Sequence, residues 1–292
     1  MKKAFFLCLL LGFNVTLLLS QEKESSTPKS NWTKKGKISF MFNQSAFTNW
    51  VARGENTLAG NASINYNFDY AKGNYTWKNN ITTSYGLTKS KNTEFEKKTD
   101  DRIEFNSLLG INAEGFWYYS VLFNFKTQFT KGFKYSKDAN GKEIRTEFTN
   151  FFSPATFLIG PGMLWEKSKN FKFNIAPATT KLVIVDKDFT LPKGAYFGVE
   201  EGKNTRLELG FNASGRLKID LMENISIENL INLYANYLED PENIDIDYTM
   251  NLVMKINNHF TTNLIFQSIY DDNAFEGFQI REVFGLSFNY GF

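Results

Sequence analysis

The sequence predicts an all-β protein, an antiparallel transmembrane β-barrel of about 12 strands with short periplasmic turns and longer extracellular loops. Three observations predict it. Apolar and polar residues alternate with a period of two, the alternating stretches run for about 12–16 residues, and the connections between them are short and long in turn.

The leader comes first. Lys2 and Lys3 precede a mostly apolar run from Ala4 to Leu19, and Ser20 is a small residue before Gln21. This reads as a cleaved signal peptide over 1–20. Cys8 lies inside the apolar run and follows Phe6-Leu7, which do not make a lipobox. Removing 1–20 leaves 31 basic against 31 acidic residues, so no single-sign field is available to attract nucleic acid. It also leaves no cysteine and one histidine, which excludes a disulfide framework and a multi-ligand Cys/His zinc site. Residues 21–36 read as a polar periplasmic lead-in, and 37–292 as the barrel.

The alternation is plain from Leu58 to Tyr70. Leu58, Ala62, Ile64, Tyr66, Phe68 and Tyr70 oppose Asn61, Ser63, Asn65, Asn67 and Asp69. It recurs at Ile103–Ile111, Trp117–Phe129, Leu207–Leu221 and Ile244–Ile256. Strands are expected near 37–48, 58–70, 74–88, 101–113, 116–129, 148–165, 171–185, 206–221, 225–238, 244–257, 259–270 and 278–292. Pro154, Pro161, Pro177 and Pro192 disturb the pattern across 148–200, where the count could shift by two. Strands this long suit a tilted bilayer crossing, with apolar residues toward lipid and polar ones toward a wet lumen.

Aromatics cluster near both sets of connections. Trp77, Trp117, Trp165 and Phe260 lie by short turns, and Tyr85, Phe129, Tyr237 and Tyr270 by long loops, as two headgroup-level girdles require. The last strand alternates up to Phe288, Tyr290 and Phe292, which reads as the C-terminal signal used by the outer-membrane assembly machinery. Glu282 and Asn229 interrupt the outward face, and a rim or bulge position is expected for both.

Asn49-Trp50, Phe151-Phe152-Ser153-Pro154-Ala155 and Ile269-Tyr270-Asp271-Asp272 resemble motifs of an exported outer-membrane β-barrel family of unknown function from Bacteroidetes. The likeness covers roughly residues 32–292. It implies an envelope location and supplies no catalytic residue.

Candidate chemistry is sparse. The lumen-lining candidates are Lys78, Arg102, Glu104, Lys126, Gln128, Glu208, Lys218, Asp245, Asp247 and Lys255. Their mixed signs suit a hydrogen-bonded lumen better than a filter for one charge. Asp240, Asp271 and Asp272 are weak candidates for a divalent cation, since carboxylates at this density also suit solvated loop tips. His259, Thr261 and Asn263 share one strand face and could imitate a hydroxyl-nucleophile site, but their position at a periplasmic turn argues against it. The expectation is therefore a non-enzymatic barrel without a cofactor. It would be a channel or transporter for small or lipophilic solutes, or else a plugged structural or interaction barrel acting through its loops. An envelope lipid-modifying enzyme is a further alternative. Expected partners are outer-membrane lipid, lipopolysaccharide and the assembly machinery, with no nucleic acid.

Overall fold

The computed structural model describes residues 30–48, 55–191 and 196–292. The leader, most of the lead-in, Asn49-Trp50 and Pro192 lie outside them. The chain forms β1 (Trp32–Ser45), β2 (Thr57–Lys72), β3 (Tyr75–Ser90), β4 (Lys97–Glu114), β5 (Trp117–Thr127), β6 (Gly132–Lys137), β7 (Glu143–Thr149), β8 (Ala155–Ser168), β9 (Phe171–Ile184), α1 (Lys187–Thr190), β10 (Thr205–Met222), β11 (Ile225–Asn236), β12 (Ile244–Lys255), β13 (Phe260–Asp271) and β14 (Phe275–Gly291). Twelve of these strands close into one antiparallel barrel, with β6 and β7 forming a separate hairpin. Among the described residues, no helix is long and apolar enough to cross a membrane.

The closed ladder explains how long polar-faced strands are stable. Every strand of the barrel pairs on both sides, so ladder bonds satisfy the backbone around most of the wall, as lipid requires. The sign of the faces follows from exposure. Along β10, Leu207 is 67% exposed, Glu208 3% and Leu209 43%. Apolar residues point outward and polar ones inward, the reverse of a water-soluble barrel. Asn79, Ser107 and Trp77 show how an outward polar group is tolerated. Trp77 Nε1 donates to Ser107 Oγ at 2.8 Å, and Ser107 Oγ donates to Asn79 Oδ1 at 2.9 Å. Outward Asn229 is not at a rim or bulge: it pairs with Met250 and Leu217 in regular ladder, and Tyr248 Oη donates to its Oδ1 at 2.8 Å.

Four connections are two-residue turns: Gly73-Asn74, Gly115-Phe116, Lys169-Asn170 and Glu223-Asn224. Aromatic rings band that end. Trp32 contacts Phe68, Tyr70 and Trp77, and Trp165 contacts Phe116, Phe171 and Phe173. The opposite end carries the long connections 46–56, 128–154 and 185–204.

Three boundaries differ from expectation. β1 begins at Trp32, inside the stretch read as lead-in, because Trp32–Gly36 pair with Tyr70–Tyr66. The connection expected at 130–147 contains β6 and β7, and β8 starts only at Ala155. Residues 148–154 are spent on the end of β7 and on a turn closed by Asn150 and Ser153. Finally, the last connections are 256–259 and 272–274, so the short–long contrast fades there. The prolines do not change the strand count. Pro161 pairs with Val121 on β5, and the β8–β9 ladder is interrupted between Ile159 and Met163, opposite Pro177. Gly162 is required at that break, because a Cβ there would collide with Ile175 O.

Candidate functional site

The lumen is built from the inward rows of the twelve strands, and side chains from non-adjacent strands bond to each other within it at several levels. Near the short-turn end, Lys78 of β3 pairs with Glu166 of β8. Near the long-loop end, Lys126 Nζ of β5 is 3.2 Å from Asp247 Oδ2 of β12, and strands β8–β11 lie between those two along the wall. Arg281 Nη2 of β14 reaches Asp100 Oδ2 of β4 at 2.8 Å. Lys181 Nζ of β9 reaches Asp245 Oδ2 of β12 at 2.9 Å, and sits 4.8 Å from the ring centroid of Tyr234. Gln267 adds a 2.9 Å bond to Asp247.

Part of the inward wall is apolar. Leu122, Leu158, Ala176 and Tyr234 form a buried cluster, with Leu108 packed on it. These residues come from β4, β5, β8, β9 and β11, so the cluster draws together non-neighbouring walls. The Lys181–Asp245 pair lies at the level of this cluster, since Lys181 is opposite Leu158 and Asp245 opposite Tyr234 in the ladders, and Asn124 and Asn212 share the same level.

The long-loop end has its own small core. Val183 and Val185 continue the inward row of Lys181, and Tyr196 and Val199 bury against them with Phe148, Phe189 and Phe197 alongside. The described part of 185–204 therefore folds over the mouth. Tyr196 Oη donates to Phe148 O, and burial pushes its phenol above the ordinary tyrosine range. The Phe151–Ala155 motif is the joint between this layer and the barrel. Ser153 Oγ accepts from Asp186 N at 2.8 Å, and Thr127 Oγ1 donates to Pro154 O at 3.1 Å. Gln128 Nε2 donates to Asn150 O and Ser153 O at 2.7 and 3.0 Å.

The expected lumen residues divide accordingly. Lys78, Lys126, Asp245 and Asp247 take part in cross-lumen pairs. Arg102 and Glu104 face each other at 3.6 Å, and Glu208 holds Arg206 at 2.8 Å. Lys218 is 3.6 Å from Asp220 near the short-turn end, and Lys255 is exposed at the end of β12. Gln128 lies beyond β5 and serves the joint instead. Lys181, Glu166, Asp100, Arg206 and Arg281 were not among the expected residues. Arg281 was readable from the row opposite Ile280 and Phe284, whereas the prolines hid the row carrying Lys181.

Asp271 and Asp272 meet Asp245 with carboxylate oxygens within 4.8 Å of one another; Asp240 is not in this group. The Lys181 ammonium already neutralises part of its charge. His259 sits at a turn with Nδ1 3.4 Å from Asn289 O, while Thr261 Oγ1 accepts from Asn289 Nδ2 at 2.9 Å. No nucleophile–base contact links His259 to Thr261 among the described hydrogen bonds.

A closed barrel with an outward apolar belt, aromatic bands and a polar, bonded interior has the architecture of membrane-spanning β-barrels. A family model described as a protein of unknown function (DUF3078) matches residues 42–133, less than half of the chain. The curated proteins contain no match. Among solved structures, the translocator domain of the autotransporter NalP from Neisseria meningitidis aligns over 89% of this chain and 85% of its own, at 11% identity and a TM-score of 0.38. The β domain of the Bordetella autotransporter BrkA aligns over 90% and 98%, at 10% identity and 0.34. The porin NanC aligns over 87% and 97%, at 11% identity and 0.36.

Proposed function

We propose that this protein is an outer-membrane barrel whose resting lumen is closed and whose working surface is its long-loop end. The observation that carries the reading is the Lys126–Asp247 pair, which joins nearly opposite walls across the bore, with Leu122, Leu158, Ala176 and Tyr234 buried together on one side of it. Ions passing this level would have to displace the pair or shed water beside the apolar cluster, which is costly. The location rests on the leader, the outward apolar belt and the aromatic bands. In this reading the partners are outer-membrane lipid, lipopolysaccharide and the assembly machinery.

Two measurements test the reading. Cell fractionation is expected to recover the protein with the outer membrane; recovery as a soluble periplasmic protein overturns the location. The refolded protein is expected to leave planar bilayers electrically silent, and Lys126→Ala with Leu122→Ala is expected to introduce conductance. Steady conductance of the wild type would instead establish passage of solutes through the lumen.

A further inference from the structure

On the outer flank of the barrel, at the long-loop end, a cavity of about 320 Å³ lies between the β3–β4 rim and the β6–β7 hairpin. Its lower wall is Tyr85 and Leu87, which belong to the outward row of β3 and continue the apolar belt. Its upper wall is the hairpin, with Phe133 and Arg145.

The hairpin is fastened to the β3–β4 loop, so the cavity is built rather than incidental. Glu143 Oε2 accepts from Glu94 N at 3.0 Å, and its other oxygen pairs with Lys97 Nζ at 2.9 Å. Tyr135 Oη donates to Glu96 O at 3.2 Å, and the rings of Phe95 and Tyr135 meet at 6.3 Å.

Arg145 is the unusual member. Its guanidinium carbon lies 4.7 Å from the Phe95 ring centroid and 4.3 Å from that of Phe133. Stacking on two rings fixes the plane of the group and leaves its N–H edge for hydrogen bonding. Among the described residues, Arg145 has no carboxylate partner. Lys89, also in the lining, spends its ammonium on the carbonyls of Thr93 and Glu94 and likewise has no carboxylate. Of the other cations in the lining, Lys98 pairs with Asp101 and Lys131 with Glu147, so Lys89 and Arg145 are the two without a carboxylate partner among the described residues.

A preoriented guanidinium fork is complementary to a phosphate. An apolar wall continuous with the lipid belt suits acyl chains. We propose that this cavity binds the phosphomonoester headgroup of an outer-leaflet glycolipid, with Arg145 holding the phosphate, Lys89 adding charge and Tyr85 and Leu87 meeting the lipid body. The proposal rests on the outer-membrane reading and gives the long-loop end a ligand.

The test uses the full protein in phosphatidylcholine nanodiscs doped with lipid A, extracted into mild detergent and weighed by native mass spectrometry. Retention of lipid A by the wild type is expected, with a loss of about tenfold in Arg145→Gln, since one charge-assisted fork is removed. Lys89→Gln is expected to weaken retention less, and gel mobility of unheated samples verifies that each barrel is folded. If Arg145→Gln does not fold, Lys89→Gln decides the matter by the same readout. Equal retention by wild type and folded variants overturns the site. Displacement of the lipid by millimolar inorganic phosphate would mean that free phosphate is the ligand, and would overturn the lipid assignment. Conductance is recorded on the same preparations: silent bilayers without Arg145-dependent retention defeat this site alone, whereas a conducting barrel with such retention defeats only the closed lumen.

Discussion

Single residues decide which face of the wall meets lipid, and β12 offers the cleanest case. Met250 pairs with Phe266 and Asn229 on the outward row, and Asn251 pairs with Ile265 and Glu228 on the inward row. A basic residue facing lipid near mid-strand costs roughly 2–4 kcal/mol, and one facing a wet lumen costs little. Met250→Arg is therefore expected to reduce folding into bilayers far more than Asn251→Arg. A tryptophan placed at 250 should be quenched by brominated acyl chains, and one at 251 should not; equal quenching at both would refute the assignment. Asn229 gives a second case. Its amide oxygen is satisfied by Tyr248, so Tyr248→Phe leaves an outward polar group unpaired at a cost of about 1–3 kcal/mol. That loss should appear in urea titrations of the folded barrel, and it should vanish in an Asn229→Leu background. The face of each of these residues is legible in the sequence, because a period of two needs no tertiary information. Which inward charges meet is not. Lys126 and Asp247 are 121 positions apart and come together only through barrel closure.

At the scale of elements, a strand in the wall and a strand outside it have the same local signature. Ile144, Thr146 and Phe148 alternate as well as many wall residues, and nothing in their spacing tells that β7 pairs with β6 rather than with β5. Tertiary packing makes that choice. Phe148 is drawn to Tyr196 and Phe197, and the Ser153 joint returns the chain to the wall at Ala155. The hairpin's attachment also has a pH signature. The hydrogen bond from Lys97, helped by the N–H groups of Glu94 and Phe95, holds the Glu143 carboxyl below the usual carboxylate range. A lowered value means that this contact favours the fastened state fully above the ordinary glutamate value of about 4.3, and that the benefit fades as pH falls through the folded value. Spin labels at Asn92 and Asp138 should accordingly show a narrow distance distribution at neutral pH that broadens in acid. Glu143→Gln should be broad already at neutral pH and insensitive to acid. A wild-type distribution unchanged by acid would count against the fastening role of Glu143.

Across the whole molecule, closure depends on the pairing of first and last strands, and that seam is the least continuous part of the wall. The β1–β14 ladder runs only from Lys37↔Gly291 to Phe42↔Leu286. Beyond it, Asn43 Nδ2 donates to Phe284 O at 2.9 Å, a side chain standing in for a ladder bond. Outward Glu282 lies in that stretch without a β1 partner and pairs with Phe266 in regular ladder on its other side, so it is at neither a rim nor a bulge. At the opposite end the seam is finished by Phe292. Its backbone exchanges two hydrogen bonds with Gly36, at 2.7 and 3.0 Å, and its ring lies over the space where a Gly36 side chain would stand. Tyr66 and Tyr290 stack on that ring at 6.2 and 6.4 Å. A glycine without a side chain leaves a strand position poorly covered, and an aromatic laid across it restores the contact. Phe292→Ala is therefore expected to lower the temperature at which the barrel loses its compact gel mobility, and removal of Phe292 to reduce the assembled protein in cells. Gly36→Ala should have a similar effect by displacing the ring. Because both changes break one contact, the double variant should be little worse than either alone, a departure from additivity of about 0.5–1.5 kcal/mol. Fully additive losses would show that Phe292 acts elsewhere than at this seam.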